Sequence, residues 1–309
     1  MGRYVVHRLV QIIPVFFGTT FIIYAAVFAL RGDPIRALFG PRAPAPGVIS
    51  ELRERYNLDD PLLIQYGKYI GNLLQGDLGT NFRGRPVLDI VSGAYPVTVK
   101  LAVTAFAIEV VLGLAAGVLC GVRGGSYLDS LVLVCTSLII SVPVFIVAYA
   151  AQLMLGAELG LFPISFSTRD GWPRSYLLPA LVLASLSLAT LARLTRTSLL
   201  ETLRADFIRT AVAKGVPRHQ IVTRHALRNS LLPVVTLLGV DLGGLMGGAV
   251  VTEGVFNVPG IGRAVYLGII NHEGTVVVGI STLFVLVFLF ANLFVDLLYG
   301  LLDPRVRFD

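Results

Sequence analysis

Three acidic side chains fall within or beside long apolar runs: Glu109, Asp241 and Asp296. A charge at mid-bilayer is costly, so such groups pair, carry a proton or face a water-filled path. Glu109 precedes Gly113 by one helical turn, which puts it on the face of Gly113, Gly117 and Gly121 and directs it into a helix bundle. For Glu109 and Asp241 a translocation path and a structural hydrogen bond both fit. Asp296 has Asn292 one turn away and a basic boundary close by, which favours a structural role.

Other chemistry finds no constellation. No GxxxxGK[ST] loop is present to cradle nucleotide phosphates, and Gly67-Lys68 lacks the preceding glycine spacing. There is no HExxH zinc pattern and no GxSxG nucleophile elbow. His7, His219, His225 and His272 are scattered, and His219 and His225 lack helical ligand spacing. Cys120 and Cys135 sit in apolar stretches as core thiols. The expectation is a chain with no catalytic residue, no metal and no cofactor of its own.

The elements that would position the acids are membrane helices. Of 309 residues, 55% are hydrophobic and 14% charged, against about 25% charged in soluble domains. Mean hydropathy is +0.78. The formal net charge of +6 does not argue for nucleic acid, because the basic residues concentrate where they set membrane topology. A crossing helix needs about 20 apolar residues, and six runs qualify: 9–30, 97–121, 129–155, 176–194, 230–252 and 276–301. The first is longer than the roughly 7–15 residues of a signal-peptide core and is expected to be retained. Prolines Pro14, Pro143, Pro179 and Pro233 in or near the spans are tolerable in transmembrane helices.

Six spans put both termini on one side. With that side cytoplasmic, the short inner segments hold Arg123, Arg193, Arg196, Arg204, Arg209, Lys214, Arg218, Arg224 and Arg228 among others, and the short outer loops hold Arg169, Arg174 and Arg263. That asymmetry favours both ends inside. The expected organisation is an N-terminal segment with the first span (1–30), an extracytoplasmic helical loop (31–95) and a core (96–309) that includes a cytoplasmic loop at 194–229. In the outer loop, Asp60-Pro61 can open a helix and Gly76 can end it, with Leu62, Tyr66, Tyr69, Ile70, Leu73 and Leu74 at helical spacing. A shorter helix is expected around 48–56. Gly113, Gly117 and Gly121, and Gly239, Gly243 and Gly247 with Gly244 and Gly248, are spaced for close helix packing.

The inner loop 194–229 is the most charged segment. Ser198 with Glu201 has the form of a capping box. Leu200, Leu203, Phe207 and Ala211 recur at helical spacing, with Arg204, Asp206, Arg209 and Lys214 on the other side. Gly215 can end that helix and Pro217 can open the next. Such a basic amphipathic helix can lie on anionic lipid or dock in another protein's groove.

Asp206-Phe-Ile-Arg-Thr-Ala-Val-Ala-Lys-Gly215, followed by His225-Ala-Leu-Arg-Asn-Ser-Leu-Leu-Pro233, resembles the EAA loop of ATP-binding-cassette (ABC) importer permeases. Arg209 and Thr210 replace the Glu and first Ala of the general form, while Ala211 and Gly215 keep theirs. The Ala-Lys-Gly and His-x-Leu-Arg-Asn forms are similar to those of the peptide and nickel permeases. The segment ending in Arg31-Gly-Asp-Pro34 resembles the B-type subunits of dipeptide and oligopeptide importers. So do Asn57-Leu-Asp-Asp-Pro61, Leu159-Gly-Leu-Phe-Pro163, Thr252-Glu-Gly-Val-Phe-Asn-Val-Pro-Gly-Ile-Gly262 and Leu302-Asp-Pro-Arg305.

The resemblance implies an all-α integral membrane protein of the type I importer permease fold, in a bacterial or archaeal plasma membrane. It implies half a pore, completed by a second, C-type permease. ATPase subunits, separate or fused, would bind the ATP and magnesium, and an extracytoplasmic binding protein would deliver peptide. Nickel complexes and glutathione are alternative cargoes; an ATP-independent secondary transporter or channel is the alternative class. Phe207, Arg209, Ala211, Lys214, Gly215 and His225 are expected at the ATPase contact, with Phe207 and Ala211 docking and the charges setting register. Glu109, Asp241, Glu253 and Phe256 are expected on a path or gate.

Overall fold

A computed structural model describes residues 2–29 and 46–302. The Arg31–Pro34 motif and the residues after Leu302 lie outside that range. Helices are named here in chain order: α1 (Gly2–Phe28), α2 (Pro46–Arg55), α3 (Leu62–Leu74), α4 (Val87–Val122), α5 (Tyr127–Ser141), α6 (Val144–Glu158), α7 (Arg174–Leu203) and α8 (Asp206–Ala213). Next, α9 opens at Arg218–Gln220 and continues through Ile221–Ala226 into Leu227–Gly248. It is followed by α10 (Val250–Phe256), α11 (Ile261–Ile270) and α12 (Gly274–Leu302). Among the described residues there is no strand, only an isolated bridge between Thr80 and Pro86.

Among the described residues, five helices are long and apolar enough to cross a bilayer: α1, α4, α7, α9 and α12. The run expected as one span at 129–155 is two helices, α5 and α6, bent by 108°. The break is local: Val142 is extended, and Pro143 has no N–H to continue the ladder. Counted as one crossing, the pair makes six spans. Among the described residues, π segments occur at Glu109–Gly113, Gln152–Glu158 and Ile221–Ala226.

The second span starts at Val87, inside the segment expected as outer loop, and runs through Pro96. At 36 residues it is about 54 Å long, well beyond a hydrocarbon core of about 30 Å. Residues 46–86 with α2 and α3 form a cap on one end of the bundle. Leu78 and Val87 pack there with Ile261, Val265, Val276 and Ile280. Asp60 does not cap α3, because its carboxylate takes the Lys68 ammonium (2.6 Å) and Pro61 occupies the cap position. Tyr66 meets the Thr20 hydroxyl at 2.8 Å, and Tyr69 donates to the Thr282 hydroxyl at 2.7 Å, so α3 is stitched to both α1 and α12. Burial pushes the Tyr69 phenol up to about 12.

The glycine spacing on α4 does what small residues do in lipid. A Cβ at Gly113 would meet Leu191 at 2.8 Å, one at Gly117 the Ala192 carbonyl at 2.7 Å, and one at Gly121 Leu199 at 2.9 Å. The stripe of α4 therefore lies on Leu191, Thr195 and Leu199 of α7. Gly243 meets Ala291 of α12 in the same way (2.8 Å). The side chains of residues 246–248 and of Asp296 are outside what is described.

Candidate functional site

The segment at 194–229 is not a free loop. α7 continues to Leu203, and the expected capping box is absent, since Ser198 lies mid-helix and donates to the Ser230 carbonyl of α9 (2.9 Å). After Arg204-Ala205 the chain turns into α8. Its end is a Schellman motif: Val216 N–H donates to Ala211 O (3.2 Å) and Gly215 N–H to Val212 O (2.9 Å). Gly215 has φ +75, the left-handed region that favours glycine. Pro217 then precedes α9.

One face of α8 is its anchor. Ile208 and Ala211 pack with Leu199 of α7 and with Ile221 and Ala226 of α9. Ala211, expected beside Phe207 on the docking face, is therefore turned inward, because the helical period places it with Ile208. Val122 of α4 and Val216 complete the base. The other face is open. Phe207 is 46% and Val212 59% exposed, and Arg209, Thr210, Lys214 and Gly215 are exposed with them. Arg209 reaches Asp206 at 3.2 Å, but both side chains are in solvent, so the pair orients more than it stabilises. His225 is exposed on the π segment that opens α9. A cavity of about 390 Å³, lined by Val122, Leu203, Ile208, Val212, Val216 and Val222 among others, opens beside α8. The structure thus brings Phe207, Arg209, Lys214 and Gly215 together on one exposed segment.

The expected path residues separate into two pairs. Glu109 of α4 is fully buried and neighbours Asp241 of α9. Neither Glu109 oxygen, nor Asp241 Oδ2, has a hydrogen-bond partner among the described residues. The π segment beginning at Glu109 changes the phase of α4, so the acid faces α9 while Gly113 faces α7.

Glu253 and Phe256, expected on the path or gate, are both fully buried within the chain instead. Thr98 of α4 donates to Glu253 Oε1 (2.6 Å), and the Arg263 N–H donates to Oε2 (2.9 Å). Thr98 in turn accepts from the Ile261 N–H (2.9 Å). The carboxylate thus satisfies the first turn of α11, where a helix has N–H groups to spare. Gly262 cannot carry a side chain, since its Cβ would sit 2.7 Å from Val250 Cα. Phe256 belongs to the core with Tyr176, Ala180 and Ala148. These residues build a knot between α4, α10 and α11, not a wall.

One polar centre went unread in the sequence. Asp129, in the first turn of α5, is 2% exposed and takes Arg196 of α7 in a two-pronged grip. Arg196 Nε bonds Oδ1, and Nη2 bonds Oδ2 at 2.7 Å. Gly125 N–H adds a third bond to Oδ2 (2.8 Å), and Ser126 caps the same turn. The one sequence signal was Ser126-x-x-Asp129, a variant of the capping box.

A family model described as "binding-protein-dependent transport system inner membrane component" matches residues 113–308, a stretch that holds α8 and the helices beneath it. The chain belongs to this family. A dipeptide transport system permease protein of Alkalihalophilus pseudofirmus is 33% identical over 338 residues, and a glutathione transport system permease protein of Escherichia coli K12 is 37% identical over 309 residues. Both matches cover the whole of both chains. The protein is therefore a multi-pass permease subunit of an ABC importer, with the all-helical type I permease fold. Permeases of this family work with an ATPase and a binding protein.

Proposed function

We propose that the permease forms half of a pathway for short peptides and takes its energy from a separate ATPase that grips α8. The observation that carries this reading is the α8 segment itself. It is a short helix with a packed back, an open face holding Phe207, Val212, Arg209 and Lys214, and a glycine-fixed end. A rigid amphipathic helix of this kind suits docking in a partner's groove, and ATP-driven closure of the partner would then rock α7 and α9. The partner ATPase would hold the ATP and magnesium. A C-type permease would supply the second half of the pore, and a binding protein would deliver cargo at the cap end. We assign that end, with both termini, to the cytoplasmic side of a bacterial or archaeal plasma membrane, a reading supported by the basic residues around α8. Glu109 and Asp241 are the acids we assign to the polar lining between states.

Dipeptides and oligopeptides are the cargo class. Glutathione is the second reading, supported by the 37% identical relative, and it is itself a short peptide.

Uptake of labelled dialanine, a tetrapeptide, glutathione and Ni²⁺ by cells with and without the chain separates the cargoes. Loss of peptide uptake on deletion supports the reading, and loss of Ni²⁺ uptake alone overturns it. For the docking face, Gly215→Val forces a β-branched residue to φ +75, although an added Cβ meets nothing within 4 Å. We expect it to insert normally and to lower uptake at least tenfold, with Gly215→Asn near wild type because Asn tolerates this conformation. Normal uptake by Gly215→Val would remove α8 from coupling.

A further inference from the structure

α5 buries little of its surface within the chain. Of Tyr127–Ser141, only Asp129 and Thr136 are buried. Tyr127, Leu128, Leu131, Val134 and Leu138 are between 44% and 81% exposed. In lipid an apolar face gives no drive toward the bundle, because the acyl chains are as apolar as leucine. Thr136 adds little, since its hydroxyl turns back on the Leu133 carbonyl of its own helix (3.1 Å). α5 lies against α7 along the face of Asp129 and Thr136, its side-chain polar bonds to the bundle are those of the Asp129–Arg196 grip at one end, and the chain continues through Val142-Pro143 into α6 at the other.

The two ends of α5 connect different parts of the molecule. Arg196 stands two turns before the end of α7, on the stretch whose Ser198 is bonded to α9 and whose Leu199 lies under α8. At the far end, α6 is built into the core at Ala148, and Gln152 Nε2 donates to Val255 O of α10 (3.1 Å). We infer that the Asp129–Arg196 ion pair is a positioning element for transport: it makes α5 follow α7, so that movement at α8 reaches α6 and the α10–α11 knot. Without the pair, α5 keeps only its apolar contact with its neighbours and loses the bond that fixes its position along α7. A planar guanidinium suits this task, because two parallel bonds fix orientation as well as distance. The inference rests on α8 being the ATPase contact.

The test uses the complete transporter in proteoliposomes, with its ATPase and binding protein, and reads labelled peptide taken up per ATP hydrolysed. The peptide is dialanine or glutathione, whichever the wild type imports. Asp129→Ala and Arg196→Ala should keep ATP hydrolysis and lower the ratio at least fivefold. Arg196→Lys keeps the charge but loses the fork, and should lower it two- to threefold; it carries the test if the alanine variants fail to assemble. In a chain with Cys120 and Cys135 replaced by Ser, Asp129→Cys with Arg196→Cys should be uncoupled when reduced. Bridging the two thiols with a short bifunctional reagent should restore the ratio.

An unchanged ratio in the assembled variants overturns the inference. So does a bridged protein that stays uncoupled, since a pair that must open in each cycle would be blocked by the bridge. A purely structural role would lower the amount of assembled complex and leave the ratio alone. If the purified wild-type chain does not retain its ATPase, the docking reading itself fails, and that outcome is separate from the others.

Discussion

α4 and α5 both lie against α7, α4 through Gly113, Gly117 and Gly121 and α5 through Asp129. The first contact is a long seam of backbone approach in which leucine and threonine side chains of α7 fill the space left by missing Cβ atoms. The second combines a sparser apolar contact with one ionic grip near the end of a helix whose other faces are turned outward. Lipid explains why there are two solutions. Burying apolar area yields nothing within a bilayer, so helices are joined by close packing of small residues or by polar partners. A seam spreads its hold over several turns and fixes a helix. A single grip fixes one point and leaves the rest of the helix to follow.

The sharpest way to break the comparison is at the seam. Gly117→Val places a branched side chain against the Ala192 carbonyl, where even a Cβ would sit at 2.7 Å. Overpacking of this kind costs about 3 kcal/mol. The purified chain in detergent should lose its monodisperse elution peak, and a wild-type profile would show that the seam yields more easily than its geometry implies.

A smaller effect is expected where a buried acid is held by neutral donors rather than by a cation. Glu253→Gln turns one acceptor into a donor facing the Thr98 hydroxyl or the Arg263 N–H. The mismatch costs about 2 kcal/mol. Thermal unfolding followed by thiol labelling should shift downward, with faster exchange of the amides at 261–263. The smallest effect is expected at the other buried residue of α5. Thr136→Val removes a hydroxyl bonded only within its own helix, so a loss under about 1 kcal/mol is expected in the same assay. A larger loss would mean that the Thr136 hydroxyl does more than bond its own helix.

How much of this could be read from the sequence depends on the reach of each interaction. Hydropathy gave the crossings, because span length follows from bilayer thickness. The i, i+4 glycines on α4 gave the seam, and Gly215 with Pro217 gave the end of α8 and the start of α9, because those signals are periodic or local. The break at Val142-Pro143 was hidden by its composition: prolines sit inside unbroken α1, α7, α9 and α4, and nothing apolar marks out Pro143 from them. The inward turn of Ala211 depends on which side of α8 finds a base, and Leu199, Ile221 and Ala226 supply that base from two other helices. The partners of Glu253 and of Asp129 were out of reach altogether. Thr98 is 155 residues from Glu253 and Arg196 is 67 from Asp129, and pairing at such distance leaves no period.

That separation also sets an order of events while the chain is being made. α5 leaves the ribosome 67 residues before its guanidinium partner does, an interval of roughly 3–13 s at ordinary rates of synthesis. For that time the Asp129 carboxylate is without Arg196, and its helix is without α7 to pack on. The α4–α5 hairpin therefore cannot take its final place until α7 has been made.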